Sequence, residues 1–301
     1  MNDKLRSDLL LLMAAAIWGF AFVAQRMGME HLGPFTFNTF RFLMGAAVLV
    51  PIVSWWGRSG RAAPWPIDLR RGAILGLVLF GGASLQQWGV VYTTAGKAGF
   101  ITGLYVVLVP ILGLFIGQRT KGRTWVGAVL AVVGLYLLTM TDHLVMSLGD
   151  TLVLAGALFW AMHVLLIGRW APHTDPVRLA ALQFLVCGVI SGAVGLPLEQ
   201  PTLEAVADTA GPLLYAGLAS TGIAFTLQVV AQRHAPPAHA AIILSLEAAF
   251  AVLGGWLLLG EILSVRGLIG CVLMLSGMIL SQLEPRRRRP PATVTRRGTE
   301  L

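Results

Sequence analysis

The sequence predicts an all-α membrane protein: ten transmembrane helices, arranged as two inverted five-helix repeats around a central cavity. Three observations lead there. Of 301 residues, 56% are hydrophobic and 12% are charged, and the mean hydropathy is +0.76. A soluble domain carries about 25% charged residues, so a soluble enzyme, a disordered chain and a secreted scaffold are excluded. The apolar residues gather in uncharged runs long enough to cross a bilayer, which takes about 20 residues each. The two halves of the chain also match one another at a nearly constant offset.

The uncharged runs are 9–25, 42–57, 72–96, 98–118, 124–141, 151–168, 179–198, 209–232, 234–260 and 267–283. The second extends back to Pro34, a favoured first-turn residue, which brings Arg41 inside the helix. The ninth is interrupted once, by Glu247. Runs such as Gly127 to Leu138 are apolar on every side, whereas barrel strands would alternate polar and apolar residues. Lys4 and Arg6 ahead of an apolar run resemble a signal peptide. Nine more such runs follow, so the first is read as a membrane helix.

Lysine and arginine set the expected orientation, because cytoplasmic loops retain them. With the N-terminus inside, the inner segments hold 18 of the 22 basic residues, and the outer ones hold only Arg26, Arg41, Lys97 and Arg266. Both termini are therefore expected in the cytoplasm, with the chain in the plasma (inner) membrane. Residues 285–301, rich in arginine and proline, are expected to be disordered and to lie on anionic lipid. Nucleic-acid binding would need a basic solvated domain, which the sequence lacks. Cys187 and Cys271 sit inside apolar runs and read as small buried hydrophobes. Gly96-Lys97 has neither the glycine five residues earlier nor the following hydroxyl of a phosphate loop. No catalytic group, metal or cofactor is expected. The expected partners are a small-molecule substrate and the lipid bilayer, and the expected state is a monomer.

The halves match as follows. Leu12, Ala15 and Trp18 pair with Leu154, Ala157 and Trp160 at an offset of 142, and Pro34 with Arg41-Phe42 pairs with Pro176 and Gln183-Phe184 at the same offset. Gly117, Arg123, Gly127 and Gly134 pair with Gly260, Arg266, Gly270 and Gly277 at 143. The predicted units are 1–142, 143–284 and the tail 285–301. Five is odd, so the second unit enters the membrane from the opposite side. Inverted repeats recur in secondary transporters, with the substrate near the midplane at the repeat interface.

Three stretches resemble the drug/metabolite transporter superfamily, in particular its EamA-type ten-helix members. They are Ala16-Ile17-Trp18-Gly19-Phe20 with Phe22-Val23-Ala24, Pro34 with Arg41-Phe42, and Leu244 to Ala251 through Leu259-Gly260-Glu261 with Gly270 and Gly277. The first-half counterpart of the third runs from Ala98 to Thr102, then Val109-Pro110 and Gly117-Gln118. Two positions depart from the family pattern: Gln118 stands opposite Glu261, and Ala248 replaces a common proline. The resemblance implies a basket with a cavity between helices 1, 3, 4, 6, 8 and 9, helices 5 and 10 packing outside it, and export of metabolites, amino acids or drugs.

Glu247 is the one carboxylate deep in a predicted helix. A charge at the bilayer centre costs about 3 kcal/mol or more, so Glu247 has a partner, faces a wet cavity or carries a proton. It is either a coupling group or a structural hydrogen-bonding residue. Trp18 and Trp160 are repeat mates near the midplane, where tryptophan is unusual. They either cradle a substrate or pack helix 1 on helix 6. His163 lies a turn beyond Trp160 on the same face. Gln86, Gln87, Thr102, Tyr105, Thr221, Gln228 and Ser245 supply uncharged hydrogen bonds, to a substrate or between helices, and Phe225 adds a ring beside them. Arg41 is expected to snorkel to the outer interface or hold a helix end, with substrate binding as the alternative. The expected function is a secondary transporter exporting small neutral or zwitterionic metabolites by alternating access. The rivals are a facilitative uniporter or channel, a multidrug or nucleotide-sugar-type transporter and, more remotely, a lipid flippase or a membrane enzyme.

Overall fold

A computed structural model describes residues 3–56, 65–93, 95–118, 120–139, 147–259 and 264–282. The tail 285–301, the basic markers Arg58, Arg61 and Arg119, and the motif residues Gly260 and Glu261 lie outside the described residues. The described residues form helices and connections, with no strand among them. In chain order the helices are α1 (Asp3–Gly28), α2 (Pro34–Trp56) and α3 (Trp65–Tyr92), then α4 in two pieces (Ala95–Gly103 and Tyr105–Phe115). They continue with α5 (Gly122–Thr139), α6 (Leu148–Trp170) and α7 (Pro176–Glu199). Next come α8 (Ala210–Leu214, a π stretch Tyr215–Phe225, then Thr226–Ala231), α9 in two pieces (Pro237–Leu244 and Glu247–Leu259) and α10 (Val265–Gln282). Eight of these spans are long and apolar enough to cross a bilayer, and α5 and α10 contribute shorter apolar segments.

Local sequence explains the starts. Proline, with its preset φ and missing N–H, opens α2, α7 and α9. Asp175 caps α7 by accepting from the Val177 and Arg178 N–H groups at 2.9 Å each. Ser147 and Asp150 close a capping box on α6. Two starts come well ahead of their uncharged runs, by more than a helical turn. α1 begins at Asp3 and α3 at Trp65, because charged residues mark the edge of the membrane and do not end a helix. A further short helix, Leu203–Asp208, fills the connection before α8, with the Thr202 hydroxyl accepting from the Ala205 N–H at 3.1 Å.

The packing pattern survives exchange of each helix with the one five places later. α5 lies against α10 and α2 against α7, each helix on its own counterpart. α3 packs on α6 as α8 packs on α1, and α4 packs on α6 as α9 packs on α1. Glycine makes the α5–α10 contact possible. A Cβ at Gly134 would stand 2.5 Å from the Gly270 carbonyl oxygen, and one at Gly277 would stand 2.6 Å from the Gly127 carbonyl oxygen. These four glycines exchange places under the 143-residue offset.

Runs 98–118 and 234–260 were expected to be single helices, and the structure breaks both near the middle. The Leu104 N–H donates to the Ile101 carbonyl at 3.2 Å, and the Leu246 N–H donates to the Ile243 carbonyl at 3.2 Å. Both are i to i−3 bonds, the tighter turn that interrupts an α-helix. The two breaks are also related by the 142-residue offset, and each is followed at once by a polar residue, Tyr105 in α4 and Glu247 in α9. A helix broken inside a bilayer is tolerated where its backbone is covered by protein or lines a cavity.

Candidate functional site

A cavity lies where the two breaks meet the rest of the bundle. It is lined from α1 by Trp18, Phe22 and Gln25, from α2 by Arg41, and from α3 by Gln86. α4 gives Thr102 and Tyr105, α6 gives Trp160 and Val164, α8 gives Ser220, Phe225 and Gln228, and α9 gives Leu244 and Glu247. The six helices implied by the resemblance all contribute, and α2 joins them. Residues 18, 22 and 25 fall on one face of α1 because helical spacing of four and three returns to the same side.

Aromatic rings form one wall. Phe225 stands at its centre, 4.6 Å from the Trp18 ring centroid and 5.9 Å, stacked, from that of Trp160. Phe42, His163 and Phe184 surround it at 6.2, 6.0 and 5.9 Å. The π stretch of α8 carries Phe225, and the Ser220 carbonyl in that stretch accepts from Trp18 Nε1 at 3.1 Å.

Amides form the other wall, organised by Gln86. Its Oε1 accepts from Trp160 Nε1 at 2.8 Å and from the Thr102 hydroxyl at 3.3 Å, while its Nε2 donates to Gln25 Oε1 at 3.1 Å. Three helices from the first half and one from the second are thereby joined through one side chain. Gln86→Leu is expected to strand two buried partners, Gln25 and Thr102, at about 1–3 kcal/mol each, and the half-buried Trp160 Nε1 besides. It should lower the unfolding midpoint of the detergent-purified chain well below that of Gln87→Leu. Gln87 makes one long bond, from Nε2 to the Gln25 carbonyl at 3.4 Å. Equal midpoints for the two variants would remove Gln86 from the centre of this network.

Two buried polar atoms on the cavity wall, Gln228 Oε1 and Arg41 Nη2, have no hydrogen-bond partner in the protein. Buried polar groups normally find partners, so these two atoms on one space mark it as a place for a polar ligand or water. Tyr105 and Glu247, the two residues that follow the breaks, face one another across the same space as a side-chain pair. The cavity measures about 40 Å³, where ligand pockets are commonly roughly 300 Å³ or more. A solute of amino-acid size therefore requires the walls to part.

Four candidate residues lie elsewhere. Gln87 turns toward α1. His163 sits behind the rings, its Nε2 paired with Gln183 Oε1 at 2.8 Å. The Thr221 hydroxyl donates to the Ala216 carbonyl at 2.8 Å, and its methyl group packs over Gly45. The Ser245 hydroxyl donates to the Ile242 carbonyl at 2.9 Å within the α9 break. Arg41 requires a correction: it does not snorkel. The residue is 2% exposed and turns inward to the cavity, because Asn38 and the Phe42 ring hold it there. Phe22 and Gln25 share the face of Trp18, and that spacing is the signal that would have found them. Ser220 acts through a backbone carbonyl, for which no side-chain pattern exists.

A second, wider cavity of about 490 Å³ opens at the end of the bundle that carries the start of α1. On its wall, His239 of α9 pairs with Asp8 of α1 at 2.8 Å. The repeat counterpart of Asp8, 142 residues on, is Asp150, which accepts from the Thr93 hydroxyl at 2.6 Å.

Among the described residues, eight membrane-length helices and two shorter apolar ones surround a small polar and aromatic cavity at two mid-helix breaks, the architecture of an integral multi-pass membrane transporter. The chain belongs to the EamA-like transporter family, whose model matches residues 5–140 and again 147–283. An uncharacterized transporter of Archaeoglobus fulgidus is 31% identical over 281 residues, covering 93% of this chain and 87% of that one. The uncharacterized transporter YoaV of Bacillus subtilis is 22% identical over 91% of this chain and 95% of its own length. The uncharacterized inner membrane transporter YedA of Escherichia coli is 27% identical over 82% and 81%. A solved crystal structure superposes with a TM-score of 0.73 at 21% identity, over 92% of this chain and 96% of that chain.

Proposed function

We infer that this transporter is a secondary carrier that exports small neutral or zwitterionic metabolites, amino acids with apolar or aromatic side chains foremost, by alternating access. The observation that carries the reading is the cavity at the two counterpart breaks, lined by both halves and too small to admit a solute without movement. Two inverted halves can exchange conformations, which opens the same site to either side in turn. The ring wall of Trp18, Trp160 and Phe225 suits an apolar side chain, and the amides of Gln86 and Gln228 suit its polar groups. The excess of basic residues on one side supports an orientation with both termini in the cytoplasm, and the resemblance to metabolite exporters supports the outward direction.

Glu247 is the group we assign to coupling. It is 4% exposed, lines the cavity and follows the α9 break, where a carboxylate can take a proton from one side and release it to the other. Proteoliposomes loaded with labelled amino acids, sugars and drugs, assayed with and without a pH gradient, test the function. Saturable exchange and counterflow of an amino acid is the expected result, and Glu247→Gln should abolish the response to the gradient. A flux that never saturates favours a channel, and failure of every solute to exchange ends the carrier reading.

A further inference from the structure

The charge of Arg41 has no use in the reading above. The residue sits seven residues into α2, about 10 Å along at 1.5 Å per residue. Its Nε donates to Asn38 Oδ1 at 2.9 Å, and its guanidinium lies over the Phe42 ring, 4.6 Å from the centroid. These contacts orient the guanidinium plane without neutralising its charge. Nη2 has no protein acceptor, and among the described residues no carboxylate lies within 4.0 Å of the group. A charge held in the bilayer interior costs about 3 kcal/mol or more, so an anion that enters the cavity gains what the protein leaves unsupplied.

The chemistry of the wall narrows that anion. A guanidinium offers a planar fork that fits a carboxylate with two parallel hydrogen bonds. Glu247 lines the same cavity, beside Tyr105. A dianion would satisfy Arg41 but face Glu247, and an amine without a carboxylate would satisfy Glu247 but face Arg41. A zwitterion satisfies both, with the rings left for an apolar side chain. We propose that Arg41 is the carboxylate anchor of the substrate site, with the substrate's ammonium toward Glu247. This rests on the carrier reading and narrows its neutral or zwitterionic solute to a zwitterion.

The experiment uses the full chain in two assays. Binding of labelled L-phenylalanine and L-leucine to the purified protein is competed by phenethylamine and isopentylamine, which lack the carboxylate, and by 3-phenylpropanoate, which lacks the ammonium. The same compounds are tested for exchange in proteoliposomes. The zwitterions are expected to bind roughly 10- to 100-fold more tightly than either truncated form, the difference that a charged hydrogen bond supports. Arg41→Gln is expected to weaken the zwitterions by a similar factor while the amines, relieved of the facing charge, bind as well or better, and Arg41→Lys is expected to recover part of the zwitterion loss. If Arg41→Gln does not fold, Arg41→Lys decides, since an ammonium in place of the planar fork should weaken the zwitterions while sparing the amines. Exchange of solutes without this discrimination overturns the anchor and leaves the carrier reading standing. If none of these compounds binds or exchanges, the anchor falls, and the carrier reading is decided by the wider panel of amino acids, sugars and drugs.

Discussion

Asp68→Ala is expected to destabilise the protein by about 3–5 kcal/mol, the loss that follows when one partner of a buried ion pair is removed. Asp68, in the first turns of α3, accepts from Arg178 Nη1 of α7 at 2.8 Å. The side chains are 0% and 6% exposed, so solvent screens the pair little. The chain holds α3 and α7 together at the membrane edge through residues 110 apart. Asp68→Asn keeps an acceptor for the guanidinium and should lose less. Replacing both residues by leucine should recover much of the loss, because two desolvated charges leave together. The measurement is thermal unfolding in detergent. Wild-type midpoints for both single variants would show that the pair adds nothing to stability.

That pair also shows where sequence reading stops. Arg178 served as a cytoplasmic marker, because counting lysine and arginine per loop is blind to pairing across helices. The uncharged runs, by contrast, located the spans, since membrane solvation penalises charge along the whole of each one and leaves a long signal; eight are long and apolar enough to cross a bilayer and two are shorter apolar helices. The breaks in α4 and α9 left no such signal. Ile101 to Tyr105 and Ile243 to Glu247 are not charged or proline-containing before the break, and a changed backbone hydrogen bond does not alter hydropathy. The repeat offset held a clue: it pairs Tyr105 with Glu247, two polar residues at one depth in opposite halves.

Within the site, the readable residues were those whose type is costly in lipid. Trp18, Trp160, Gln86 and Glu247 stand out against apolar surroundings, and all four line the cavity. Depth misled for Arg41. Its distance from the start of α2 allowed a reach to the interface, and only packing against Asn38 and Phe42 turns it inward. His163 and Thr221 share a helix and a neighbourhood with cavity residues, yet nearer partners take their hydrogen bonds.

Gly19→Leu is expected to abolish transport and to lower the unfolding midpoint. Gly19 is where α1 meets the second piece of α9 backbone to backbone. A Cβ there would lie 2.7 Å from the Glu247 carbonyl oxygen and 2.8 Å from the Ala251 nitrogen, with the Phe250 Cβ nearer still. Ordinary overpacking costs about 1–3 kcal/mol because side chains can turn aside. Here the obstacles are main-chain atoms, so relief requires the two helices to separate. Trp18 precedes the contact and Glu247 supplies part of it, so separation moves both walls of the cavity at once. Gly19→Ala should therefore already reduce exchange, whereas Gly122→Ala, with nothing within 4 Å of its Cβ, should behave as wild type. Transport at the wild-type rate by Gly19→Leu would mean that α1 and α9 are not this close in any state of the cycle. A loss confined to Gly19 ties the seam between the two halves to the site it encloses.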